Sequence, residues 1–121
     1  MAQYKHLPIY KATYDLLHQI TRITRNYPRD FKFSMGQKLR DETVDLVVFI
    51  YKANSLQRSR HEFLMQIVER MQVVELLLRL SKDMRLLSVK QFSETVLLTD
   101  SIGRQAQGWL KTTDKARRQN G

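Results

Sequence analysis

The chain has 121 residues, 21 of them lysine or arginine against 12 acids, for a formal charge of +9. Four glycines and two prolines disfavour a turn-rich β protein, and the lack of cysteine excludes disulfides and thiolate metal sites. The N-terminus has no apolar signal-peptide core, and the longest apolar run, Leu46 to Tyr51, is too short to span a membrane. The expectation is one cytoplasmic domain with no membrane partner.

Four helical stretches follow in order. Pro8 suits a first helical position, and Ile9, Leu16, Ile20, Ile23 and Tyr27 recur after it at helical spacing. Pro28 ends that helix, because proline disfavours the α region in the residue before it. Residues 29–35 then form a connection. Ser34 with Gln37 reads as a capping box opening a second helix through Leu39, Leu46, Phe49 and Ile50 to about Asn54. Ser59 with Glu62 opens a third, to about Arg85, and Ser88 with Gln91 opens a fourth, through Phe92, Val96 and Leu110. The short connections favour antiparallel neighbours, so the predicted fold is all-α, an antiparallel four-helix bundle over residues 1–110. Residues 111–121 have no apolar face and read as a basic C-terminal tail, flexible or a frayed helix end.

A bundle helix needs one apolar stripe. The second helix exceeds this at Leu46 to Tyr51, where six consecutive apolar residues cover every direction around the axis. The third does so at Val73-Val74 and Leu76-Leu77-Leu78. In a monomer the surplus side chains stay wet, each forgoing about 1.5–3 kcal/mol of burial. Such patches mark subunit interfaces, so a homo-oligomer is expected.

No constellation of catalytic residues emerges, no cofactor is expected, and the sequence points to a binding protein rather than an enzyme. Asp41, Glu42 and Asp45 read as a solvated charged face. His6, His18 and His61 lack metal-ligand spacing. The glycines are isolated, so there is no phosphate-cradling loop.

The basic residues are the candidate site. Residues 1–33 carry a net +4 and residues 88–121 a net +3, against +1 for each middle segment, 34–58 and 59–87. Lys11, His18, Arg22, Arg25 and Arg29 recur at three, four or seven residues, with Asp15 the only acid in the row, one ridge opposite the apolar stripe. Such a ridge can track phosphates without reading bases, and it equally fits the solvated back of a surface helix. Arg79, Lys82 and Arg85 form a second cluster, and Lys111, Lys115, Arg117 and Arg118 a third. No aromatic stacking platform accompanies them, so the expected binding is non-specific and salt-dependent.

Across Pro8 to Lys111 the chain resembles the accessory variability determinant (Avd) proteins of diversity-generating retroelements, within a wider four-helix group once labelled ribosomal or intervening-sequence proteins. The resemblance is carried by Pro28 to Gly36, Leu46 to Ser55, Leu76 to Arg85, Ser88 to Phe92 and Ile102 to Lys111, in that order and spacing. Similar proteins often have two glycines before the tryptophan of the last segment; here Gln107 replaces the first. The resemblance implies a basic homopentamer, a barrel with a central pore. It further implies binding to the element's reverse transcriptase and to RNA or DNA, in support of error-prone copying of template RNA into cDNA. The intervening-sequence label implies the alternative, a scaffold associated with ribosomal RNA.

Overall fold

The computed structural model describes residues 4–120. It contains α1 (Pro8–Arg25), a single turn α2 (Arg29–Lys32), α3 (Met35–Ser55), α4 (Arg60–Asp83) and α5 (Val89–Asn120), with no strand among the described residues. Short 3-10 turns precede α1 (Tyr4–His6) and α4 (Gln57–Ser59). The four long helices close a ring in which α3 packs on α1 and α4, and α5 packs on α4 and α1. Bonds between opposite ends of neighbours make it antiparallel. Arg40 near the start of α3 reaches Thr24 at the end of α1 (2.7 Å), and His61 at the start of α4 reaches Asp114 late in α5 (2.6 Å).

The core takes in most of the stripes read from periodicity, with Phe49, Phe92, Val96 and Leu110 only partly covered. Leu16 and Ile20 of α1, Leu39, Leu46 and Ile50 of α3, Leu64, Ile67 and Val74 of α4 and Ile102 of α5 are fully enclosed. Five threonines share this interior. Each hydroxyl donates to a carbonyl one turn back on its own helix: Thr13 to Ile9, Thr24 to Ile20, Thr43 to Leu39, Thr95 to Phe92 and Thr99 to Val96. That back-bonding satisfies the hydroxyl without needing a partner across the bundle.

The helix ends correct three expectations. Only Ser88 and Gln91 form a capping box: the Ser88 N–H donates to Gln91 Oε1 (2.8 Å), and the Gln91 N–H donates to Ser88 Oγ (3.0 Å). Ser34 does occupy the cap position of α3, but its hydroxyl donates back to the Asp30 carbonyl (2.8 Å), because residues 29–32 coil into α2 instead of crossing as an open connection. Ser59 makes no side-chain cap bond, as it sits at the end of the turn that runs into α4.

At the other end of α4, Arg85 is left-handed (φ 61°). The Leu86 N–H bonds the Ser81 carbonyl and the Arg85 N–H bonds that of Lys82, the two bonds of a Schellman stop. Leu86 then folds onto the core.

The charged face expected at Asp41, Glu42 and Asp45 is also divided. Asp41 and Asp45 are exposed, but Glu42 is buried between α3 and α4. Its carboxylate lies 2.8 Å from Lys38 Nζ and 3.5 Å from Arg70 Nε. An anion taken from water needs such partners, which is why Arg70 of the adjacent helix faces it.

Beyond Leu110, α5 continues as helix to Asn120. The Asp114–His61 bond levels Asp114 with the start of α4, so Lys115 to Asn120 project past that end by about 9 Å. Among the described residues, no helix is long and apolar enough to cross a membrane.

Candidate nucleic-acid interface

Folding sorts the candidate cations by their level along the bundle. The antiparallel ring brings the end of α1, α2, the start of α3, the end of α4 and the start of α5 to one pole. Arg25, Arg29, Arg79, Lys82 and Arg85 gather there. Lys111, Lys115, Arg117 and Arg118 occupy the opposite pole with Arg58 and Arg60. Lys11 lies toward this second pole and Arg22 one turn short of the first, so the α1 ridge runs lengthwise between the two. Asp45, Glu69, Glu75 and Asp100 lie between the poles, while Asp30 and Asp83 share the first pole and Glu62 and Asp114 the second. Cations outnumber acids at each pole, and a polyanion meets favourable potential at both.

Ten of the eleven proposed nucleic-acid-binding residues are exposed; Lys82 is partly covered. Its ammonium lies 4.9 Å from the Phe92 ring centroid and 3.6 Å from Asp83, so packing holds part of its charge. Arg117 lies 3.7 Å from Asp114. Arg22 Nη2 is 3.1 Å from His18 Nδ1 on the same crest. Arg29 leaves the crest, because α1 stops at Arg25 and the chain turns through Pro28 into α2.

Other basic residues are structural. Arg60 donates to the carbonyls of Ala53 (2.7 Å) and Asn54 (3.2 Å) at the end of α3, where the helix dipole is negative. Its guanidinium also faces the Trp109 ring at 5.8 Å, joining three helices at one pole. Arg40 does the same at the other pole. It bonds Thr24 Oγ1, the Lys32 carbonyl (3.2 Å) and Gln37 Oε1 (3.0 Å), locking α2 between α1 and α3. Gly36 lets those segments close: a Cβ there would stand 3.3 Å from the Phe31 carbonyl oxygen.

Aromatic rings nevertheless lie beside the α1 ridge. Four tyrosines form a chain of rings across α1 and α3. Tyr51 of α3 meets Tyr4 edge-on (4.9 Å between centroids), Tyr4 meets Tyr10 edge-on (5.1 Å), and Tyr10 stacks beside Tyr14 (6.2 Å, planes 28° apart). The i, i+4 spacing of Tyr10 and Tyr14 is visible in sequence. Their link to Tyr51 joins residues far apart in the chain and requires the fold.

A sequence-family model described as bAvd-like matches residues 7–113. The chain belongs to the bAvd-like family. The match spans all four bundle helices and agrees with the Avd resemblance carried by the segments from Pro28 to Lys111. Among curated proteins, none matches the chain in sequence. An Avd-type accessory protein built as a helical bundle has no need of a buried active-site cleft. Its surface carries both charged and exposed apolar side chains.

The bundle covers part of each apolar run, while other apolar residues stay outside. Of Leu46 to Tyr51, the bundle buries Leu46 and Ile50 and partly covers Val47 and Phe49. Val48 and Tyr51 remain outside, beside Val44. On α4, Val74 and Leu78 are buried while Leu76 and Leu80 are exposed. Val89 and Leu97 of α5, 73% and 72% exposed, add to the apolar surface without any signal in the spacing. Between α4 and α5, Leu76, Phe92 and Val96 share a groove with Glu75, Arg79 and Asp100.

Proposed function

We propose that this chain is a non-enzymatic accessory subunit of a diversity-generating retroelement. It binds the element's reverse transcriptase and holds template RNA or cDNA against its basic surfaces during mutagenic copying. The observation that carries this reading is membership of the bAvd-like family over nearly the whole bundle. The basic poles and the α1 ridge support it, because nucleic acid is the commonest polyanionic partner for such a field. The exposed apolar residues of α3, α4 and α5 support a homo-oligomer, with a pentamer implied by the Avd resemblance. Assembly multiplies the +9 of each copy.

Three measurements test the proposal. Mass in solution should be five times the 14.4 kDa of one chain. The reverse transcriptase encoded beside the gene should co-purify with the protein. RNA binding should weaken steeply with salt, and Arg22→Glu with Arg25→Glu should reduce the log–log salt slope by about one for each phosphate no longer neutralised. A monomer that shifts no RNA at low salt and captures no polymerase overturns the reading.

A further inference from the structure

The α1 crest carries cations and an aromatic ring in one line. Tyr14, Leu17, His18, Thr21, Arg22 and Arg25 line a shallow groove along the helix. Lys11 sits one turn before Tyr14 on the same face. Tyr14 is 54% exposed, yet its ring is not loose. One side lies against Tyr10, which Tyr4 holds edge-on and which packs on the core. The exposed surface of Tyr14 borders the groove. A rigidly backed ring costs little conformational entropy when a flat ligand lands on it.

Charge tells what that ligand is. Arg22 and Arg25 lie about 12 and 16 Å beyond Tyr14 by helical rise, and Lys11 lies about 5 Å before it. Asp15, one turn after Lys11, lines a second groove with Glu94 between α1 and α5, which His18 and Arg22 border as well, while no acid lines the groove beside Tyr14. The tyrosine flank is thus cationic along its length, with an exposed ring at one end. Phosphates spaced along a strand satisfy the cations, and an unstacked base satisfies the ring. A duplex offers the phosphates but keeps its base faces covered.

We infer that the Tyr14 flank of α1 is a single-strand-selective site, where a base stacks on Tyr14 while flanking phosphates meet Lys11, Arg22 and Arg25. This rests on the nucleic-acid reading above and deepens it. Duplex and single strand share the electrostatic attraction, and Tyr14 adds affinity for the single strand alone.

The test measures binding of the full-length protein to a labelled uridine oligonucleotide and to a duplex of equal length, at one low salt concentration. Tyr14→Ala is expected to weaken single-strand binding by about five- to a hundredfold and to leave duplex binding within about twofold. Tyr14→Phe keeps the ring and should restore wild-type affinity, which separates stacking from a folding defect. A 5-bromouridine oligonucleotide should photocrosslink to Tyr14. If Tyr14→Ala leaves single-strand affinity unchanged while Arg22→Glu with Arg25→Glu weakens both ligands, stacking is refuted and the nucleic-acid reading stands. If Tyr14→Ala changes the oligomeric mass, Tyr14 belongs to a subunit interface and the inference falls. If the wild type binds neither ligand, the nucleic-acid reading falls with it.

Discussion

Arg70→Met isolates the Glu42–Arg70 ion pair between α3 and α4. Glu42 is 4% exposed and has two cationic neighbours, Lys38 at 2.8 Å and Arg70 at 3.5 Å. At an effective dielectric of about 20, attraction across 3.5 Å is worth about 5 kcal/mol before desolvation is counted. Removing one member of a buried pair typically costs about 3–5 kcal/mol. Arg70 is one-third exposed and Lys38 remains, so some hydration and one partner survive; the expected loss is about 2 kcal/mol. For a domain of this length that lowers Tm by about 8 °C. Glu42→Met removes the anion, and with both charges replaced by apolar side chains the double variant should lie within about 1 kcal/mol of wild type. Thermal unfolding of all four proteins at fixed concentration and salt gives the coupling energy, expected at about 2 kcal/mol. Single effects that add to the double within about 0.5 kcal/mol would refute the assignment of Glu42 and Arg70 as an energetic pair.

Arg85→Gly should stabilise the fold by about 1 kcal/mol, because glycine occupies the left-handed stop after α4 without a Cβ penalty; chemical denaturation measures it. Burial and then the nearby Asp100 push the Glu75 carboxyl above its usual value of 4.5, so the folded state holds that proton more tightly than the unfolded chain. Stability from this group is present below pH 4.5 and is lost as pH rises toward the raised folded value, so Glu75→Gln should raise Tm at pH 7 and lose its advantage in acid. Asp114→Ala removes the bond to His61, and hydrogen exchange in residues 111–119 should accelerate while that of α4 stays unchanged.

Much of the bundle is legible in the sequence because core positions repeat on a helical period. Leu16, Ile20, Leu39, Leu46 and Ile50 have only to be counted. Helix starts are less legible. A Ser-x-x-Glu/Gln pattern needs free N–H groups, and only at Ser88 does the preceding chain leave them available to the cap. The burial of Glu42 escapes sequence reasoning for a related reason. Neighbours on its own helix suggest a solvated row, and its burying partner, Arg70, lies on another helix.

The candidate site divides in the same way. Each basic cluster is visible along the chain, since local spacing places side chains on one face of one helix. Whether clusters from different helices share a pole depends on antiparallel packing, which brings Arg25 and Arg29 to the end occupied by Lys82 and Arg85. The tyrosine chain needs still more, an approach of Tyr4 to both Tyr51 and Tyr10.

Sequence alone determined the helices, their apolar stripes, the excess of cations and the resemblance to the Avd family, all properties of local order. Tertiary structure decided which charge is buried, which apolar residues stay outside and which ring stands among the cations. Those are settled where helices meet, and the energy of such meetings depends on distance and solvent exclusion rather than on spacing along the chain.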